Sequence, residues 1–111
     1  MAQKIDINGI LKTIEDQTKA LAQQKIKNYS RQALADVKST LQDSKDDLER
    51  WVGELARGEI DKDEFESLVQ GQLDVAKMQA LKQAGLAEVQ IESFVNGVID
   101  IVVNAAMSAI P

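Results

Sequence analysis

Apolar residues recur at three- and four-residue spacing through the first half of the chain: Ile7, Ile10, Leu11, Ile14, Leu21, Ile26, Tyr29, Leu34, Val37, Leu41, Leu48, Trp51 and Leu55. That spacing keeps one side of an α-helix apolar and predicts helix over residues 7–56. From Leu34 the steps through Val37, Leu41, Ser44, Leu48, Trp51 and Leu55 alternate three and four, a heptad seam with one polar member, Ser44. Unbroken, such a helix is a rod of roughly 75 Å. Asp6 or Asn8 suits its N-terminal cap.

The stop signal is local. Arg57 places a cation at the helix end, and Gly58 follows as the residue that can turn left-handed. A new start comes at once. Asp61 is placed to cap, and Glu64, three residues on, completes a capping-box pair with Asp in place of the usual Ser or Thr. Ile60 and Phe65 have the spacing of a hydrophobic staple across that cap. Together these residues predict a tight turn at 58–61 joining two antiparallel helices.

Residues 62–110 carry a second stripe: Val69, Leu73, Ala76, Ala80, Ala84, Ala87, Ile91, Phe94, Val98, Val102, Ala105 and Ala109, close to the helical period throughout. Gly85 interrupts it with a competing signal, because Leu81 and Leu86 flank it as the apolar pair of a Schellman ending. No good N-cap follows among Leu86, Ala87 and Glu88. The stripe runs through Gly85 in phase, and 62–110 matches 7–56 in length. The pattern therefore favours one continuous or kinked second helix over a break that yields three helices. The expected fold is a single all-α domain over 1–111, a long antiparallel helical hairpin of 7–57 and 62–110, coiled-coil-like and oligomerising.

The expectation of other chains comes from the last helix. Phe94, Val95, Val98, Ile99, Ile101, Val102, Val103, Ala105, Ala106, Met107 and Ile110 cover most of its circumference, leaving Asn96, Asp100 and Asn104 as one polar ribbon. A helix apolar nearly all round must be covered on several sides, which a two-helix hairpin cannot do. Phe94, Val95, Val98, Ile99, Val102, Val103, Ala106 and Ile110 are accordingly the expected contact residues for a second copy, a protein partner or a membrane surface. The ribbon reads as a solvent strip, with register-setting inside an assembly as the sharper alternative.

Composition changes this picture mainly by exclusion. The chain has no histidine and no cysteine, one proline at its last position, and a net charge of −5. Without His or Cys it has no Cys–His or Ser–His–Asp nucleophilic site, no zinc site of the usual kind, and no Glu-x-x-His di-metal motif. No phosphate-binding glycine loop occurs, no cofactor is implied, and the acidic balance argues against nucleic acid. Carboxylates cluster at Asp43, Asp46 and Asp47 and at Asp61, Asp63 and Glu64. Phe65 occupies the place of the next ligand in a calcium loop, so capping and solvation explain these acids. The expectation is a non-enzymatic structural or interaction protein that self-assembles through apolar helix faces. A membrane-acting helical protein and a small adaptor or inhibitor that docks on a partner helix are the alternatives. Met1–Asp6 has no apolar signal core and no apolar run reaches spanning length, so the cytoplasm is the expected location.

Charge is uneven along the chain. Residues 1–38 hold seven Lys/Arg and four Asp/Glu, whereas residues 39–74 hold four and eleven. In a hairpin this puts acid at the turn and Lys4, Lys12, Lys19, Lys25 and Lys27 at the other end.

Overall fold

The structure, a computed structural model, describes residues 5–110. It contains six α-helices: α1 (Ile7–Lys25), α2 (Ser30–Asp43), α3 (Lys45–Ala56), α4 (Lys62–Gln72), α5 (Gln79–Gln83) and α6 (Glu88–Ala109), with 3₁₀ turns at Lys27–Tyr29 and Val75–Lys77. There is no strand among the described residues. The helices stack as four antiparallel columns, α1, α2–α3, α4–α5 and α6, measuring 48 × 21 × 21 Å overall. That is too short for the rod of roughly 75 Å implied by an unbroken first helix.

The all-α class is as expected; the two-helix hairpin is replaced by a folded-back bundle. The first predicted helix is interrupted twice. At Ile26 the backbone leaves the helical region (φ −141°, ψ 54°), and the 3₁₀ turn sends α2 back along α1. Neither glycine nor proline marks this corner. Ile26 is itself buried, while Thr18 and Ala22 on α1 and Ala33 on α2 are fully enclosed, small residues that permit close packing of the returning helix. The second interruption is milder. Ser44 ends α2, yet Leu48 N–H still donates to the Ser44 carbonyl (2.8 Å), so α3 continues the column after a kink. The heptad seam survives it: Val37, Leu41, Ser44, Leu48 and Trp51 are all buried. Ser44 resolves its polarity inside that seam by donating from Oγ to Gln72 Oε1 on α4 (2.8 Å).

The turn between α3 and α4 forms as its residues dictate. Gly58 has φ +76°, a conformation glycine enters without the steric cost of a Cβ. Gly58 N–H donates to Leu55 O and Glu59 N–H to Glu54 O (3.1 and 2.9 Å), the paired bonds of a Schellman ending. Asp61 Oδ1 accepts from Glu64 N–H (2.8 Å) while Asp61 N–H donates to Glu64 Oε1 (3.2 Å), completing the capping box. Half-buried Ile60 precedes the cap, and Phe65 is fully buried.

The second predicted helix is also broken, and here Gly85 prevails over the stripe. Its φ is +91°, Gly85 N–H donates to Lys82 O (3.0 Å) and Leu86 N–H to Leu81 O (3.2 Å), and Leu81 and Leu86 are both buried. A further break at Leu73–Met78 separates α4 from α5. Two local hydrogen bonds and an apolar contact outweigh a stripe whose members near the glycine are alanines, which lose little burial when the helix ends.

The two folding-back events depend on each other. A break at Gly85 would leave α6 without an intrachain partner if residues 7–56 were one rod. Because α1 has itself turned back at Ile26, α6 lies antiparallel against α1 and also packs on α4. Lys25 Nζ meets Ser93 Oγ (3.4 Å) at one end of the α1–α6 seam, and Asp6 and Gly9 face Ser108 and Ala109 at the other.

Among the described residues two buried side-chain oxygens lack a hydrogen-bond partner, Thr18 Oγ1 and Gln32 Oε1. Thr18 is fully buried and its Oγ1 has no hydrogen-bond partner. Thr18→Val keeps the shape and removes the orphaned hydroxyl, so it should stabilise the protein by about 1 kcal/mol. The check is the urea midpoint at unchanged denaturant slope; a midpoint shifted downward would mean the hydroxyl is satisfied in solution.

Candidate interaction surface

The residues expected to meet a second copy, a partner or a membrane are placed mostly in the chain's own core. Phe94 and Ala106 are fully enclosed, Val98, Val102 and Val103 are at most 2% exposed, and Val95 and Ile99 are 4% and 5% exposed. Ile110 is half-buried. The apolar circumference of α6 is covered by α1 on one side and by α4, α5 and the second 3₁₀ turn on the other. The surface that prompted the expectation of further chains is therefore closed within this one. What remains outward on α6 is the ribbon of Asn96, Asp100 and Asn104, all exposed, with Val89 and Met107 as its two exposed large apolar side chains. By length and composition α6 could cross a membrane, with a mean hydropathy of 1.3 over its most apolar window, half of which is buried in the fold.

The turn and cap residues Gly58, Ile60, Asp61, Glu64 and Phe65 are brought together at the α3–α4 corner as a structural set. Trp51 and Met78 are core, and among Gln70, Gly71 and Gln72 a side-chain hydrogen bond is made by Gln72, which accepts from Ser44. Lys4, part of the basic end read from the sequence, lies outside the described residues.

The carboxylates divide by what they do. Asp6 caps α1 through Gly9 N–H, Asp61 caps α4, and Asp74 caps the second 3₁₀ turn through Lys77 N–H. Asp36 is the unexpected member. It is buried on α2, and its two oxygens accept from Ala80 N–H and Leu81 N–H of α5, each at 2.9 Å. Those are the donors that an N-cap side chain normally satisfies, and Met78 at the cap supplies none. Asp36 thus caps α5 from another helix. Sequence reasoning missed it because no local spacing links positions 36 and 80. Glu64 completes the α4 capping box, and the remaining described acids are exposed or half-buried. Among the described residues two ion pairs occur, Arg50–Asp47 (3.1 Å) and Arg57–Glu59, both exposed. The hydrogen bond from Arg57 lowers the Glu59 carboxyl below its ordinary range. A depressed folded-state value makes that contribution present at neutral pH and lost on acidification, and solvent screens it.

Three shallow clefts adjoin α6, and in one of them, of about 410 Å³, Lys25 of α1 lies with Glu92, Asn96 and Asp100. The other two lie on either side of α6. One, of about 430 Å³, lies over the α1–α6 seam, between Gly9, Ile10 and Thr13 and the last turns at Asn104, Ala105 and Ser108. The other, of about 420 Å³, lies between the end of α4 with its following turn and the middle of α6. Leu73, Val75, Val95 and Ile99 give it an apolar floor; Gln70, Asp74, Glu92 and Asn96 give it a polar rim with no cation. Glu92, Val95, Asn96 and Ile99 share one face of α6 because they recur at helical spacing. Two of the expected contact residues, Val95 and Ile99, form the base of this cleft while remaining buried. Its acidic groups are Asp74 and Glu92; the acids of α4 stand towards that helix's other end, and Glu92 also borders a neighbouring cleft with Lys25. Compared with known proteins, the chain matches no family model, no curated protein and no solved structure.

Proposed function

We propose that this chain is a non-catalytic helical protein that works by binding another protein on the face formed by α4 and α6. The observation that supports this reading is the groove between those helices, with Leu73, Val75, Val95 and Ile99 at its base and Asp74 and Glu92 on its rim. Such a surface favours encounter with a positively charged partner and gives it apolar contacts once docked. The chemistry of the chain points the same way. With no His or Cys in the sequence, acid–base work would fall largely to carboxylates, and Asp6, Asp36, Asp61, Glu64 and Asp74 are each engaged in holding backbone amides.

The test is capture from an extract of the producing cells, with the protein and its Glu92→Lys/Asn96→Lys variant as paired baits. A partner held by the first and released by the second supports the reading. Equal retention by both baits places the binding face elsewhere and overturns it.

Self-assembly and membrane attachment through α6 are the competing readings, and the hydropathy of α6 favours the second of them. Each requires α6 to give up contacts with α1 and α4. Light scattering without detergent separates them: a discrete multiple of 12.2 kDa supports self-assembly. A monomer that sediments with anionic vesicles supports the membrane reading, and a monomer that does not supports a separate protein partner.

A further inference from the structure

Asparagine is followed by glycine twice, at Asn8-Gly9 and Asn96-Gly97. In such a pair the glycine nitrogen can attack the asparagine side chain, because glycine has no Cβ to shield it. Both asparagines are exposed, and both lie in helices, whose backbone holds that nitrogen away from Cγ. Reaction therefore waits on local opening, and the two sites differ in what opening requires. Rotating the Asn96 peptide swings Glu88–Val95 against the rest of α6 and draws Ile91, Phe94 and Val95 from the core. Gly97 also lies hard against α1: a Cβ there would stand 2.7 Å from Leu21 Cδ2. Asn8 sits in the first turn of α1, with Ile7 alone of that helix before it. Gly9 N–H is among the first amides of the helix, which have no carbonyl partner within it, and donates instead to Asp6 Oδ1 (3.0 Å). That cap needs glycine, since a Cβ at position 9 would lie 2.6 Å from Asp6 Oδ2. The residue that admits the cap thus leaves Asn8 reactive, and the cap with buried Ile7 restrains the nitrogen.

We infer that Asn8 is a site of spontaneous deamidation, with water as co-reactant and the Asp6 cap as its restraint. Gly9 nitrogen loses its proton to solvent and bonds to Asn8 Cγ. The Cγ–Nδ2 bond breaks, and Nδ2 takes up a proton and leaves as ammonia. Water then opens the cyclic imide at one of its two carbonyls. Opening at Cγ gives aspartate, a charge that the helix dipole favours in a first turn. Opening at the main-chain carbonyl gives isoaspartate, whose main chain is longer by one methylene between Ile7 and Gly9. The turn that carries buried Ile7 and Ile10 then loses its register. Ile10 borders the cleft over the α1–α6 seam with Asn104, Ala105 and Ser108, so this product loosens α1 from the last turns of α6.

The test holds the whole protein in mildly alkaline buffer, once native and once unfolded in urea, and follows both asparagines by peptide mapping with mass spectrometry. In urea the two pairs should react at similar rates. In the native protein Asn8 should react faster than Asn96 by about tenfold or more. Asp6→Ala should speed Asn8 by about fivefold and leave Asn96 unchanged. Equal native rates at the two positions would mean that both react through global unfolding, and would overturn the inference. A native Asn8 that stays intact while the urea sample is converted would overturn it as well. An unchanged Asn8 rate in Asp6→Ala, or a rise shared equally by Asn96, removes the role given to the Asp6 cap.

Discussion

Val98→Asp is expected to unfold the chain. Val98 sits at the middle of α6 and is 1% exposed, in the cluster that holds Phe94 and Val102. An aspartate there brings a carboxylate into a space lined by hydrocarbon, with no cation anywhere on α6. The penalty combines a buried unpaired charge with loss of the valine contacts and reaches at least about 4 kcal/mol. A domain of this size has roughly 5–15 kcal/mol in total. Circular dichroism should show lost helicity, or a thermal transition lowered far below that of the unsubstituted protein. The same substitution distinguishes the core from an assembly interface. A Val98→Asp protein that keeps its full helicity and falls from a larger species to 12.2 kDa would place Val98 between subunits and contradict the packing described here.

The second large effect belongs to Asp36. Removing its carboxylate with Asp36→Ala strands the N–H groups of Ala80 and Leu81, both now capped at 2.9 Å, in a part of the fold where Leu81 is fully buried. Loss of two charge-assisted bonds with their donors left unsatisfied costs about 3 kcal/mol. The effect should be local first. α5 has only five residues, too few to persist without tertiary support, so its amides should exchange faster than those of α1 and α6. Asp36→Asn keeps one carbonyl acceptor but turns an NH₂ toward the other amide, so its loss should be intermediate. Exchange at Ala80 and Leu81 that is unchanged in Asp36→Ala would show that α5 is held by packing alone.

Both effects depend on contacts between residues distant in sequence, and this separates what could be read in advance from what could not. The corner at 57–65 was legible to the residue. Gly58, Asp61, Glu64 and Phe65 make their defining bonds within five positions of one another, so backbone preference and short-range hydrogen bonding suffice to specify it. The heptad seam from Val37 to Trp51 was legible too, because burial of one helix face follows from spacing alone. The Gly85 ending was present in the residues with its flanking leucines. It was outweighed by a stripe of alanines, whose small burial carries less energy than the periodicity suggested.

The groove was only half visible. Val95 and Ile99 were recognisable as apolar residues in need of cover, but that Leu73 and Val75 would stand opposite them required the break after α4. By itself the sequence determined that the chain is helical, where the α3–α4 turn falls, which residues are apolar enough to demand burial, and that histidine and cysteine chemistry is absent. Tertiary structure alone decided what covers α6. The turn at Ile26 has no glycine, proline or capping side chain to announce it. It exists because folding α1 back supplies the surface that α6 needs, a gain realised only when both segments are in place and thus invisible to any pattern read along one of them.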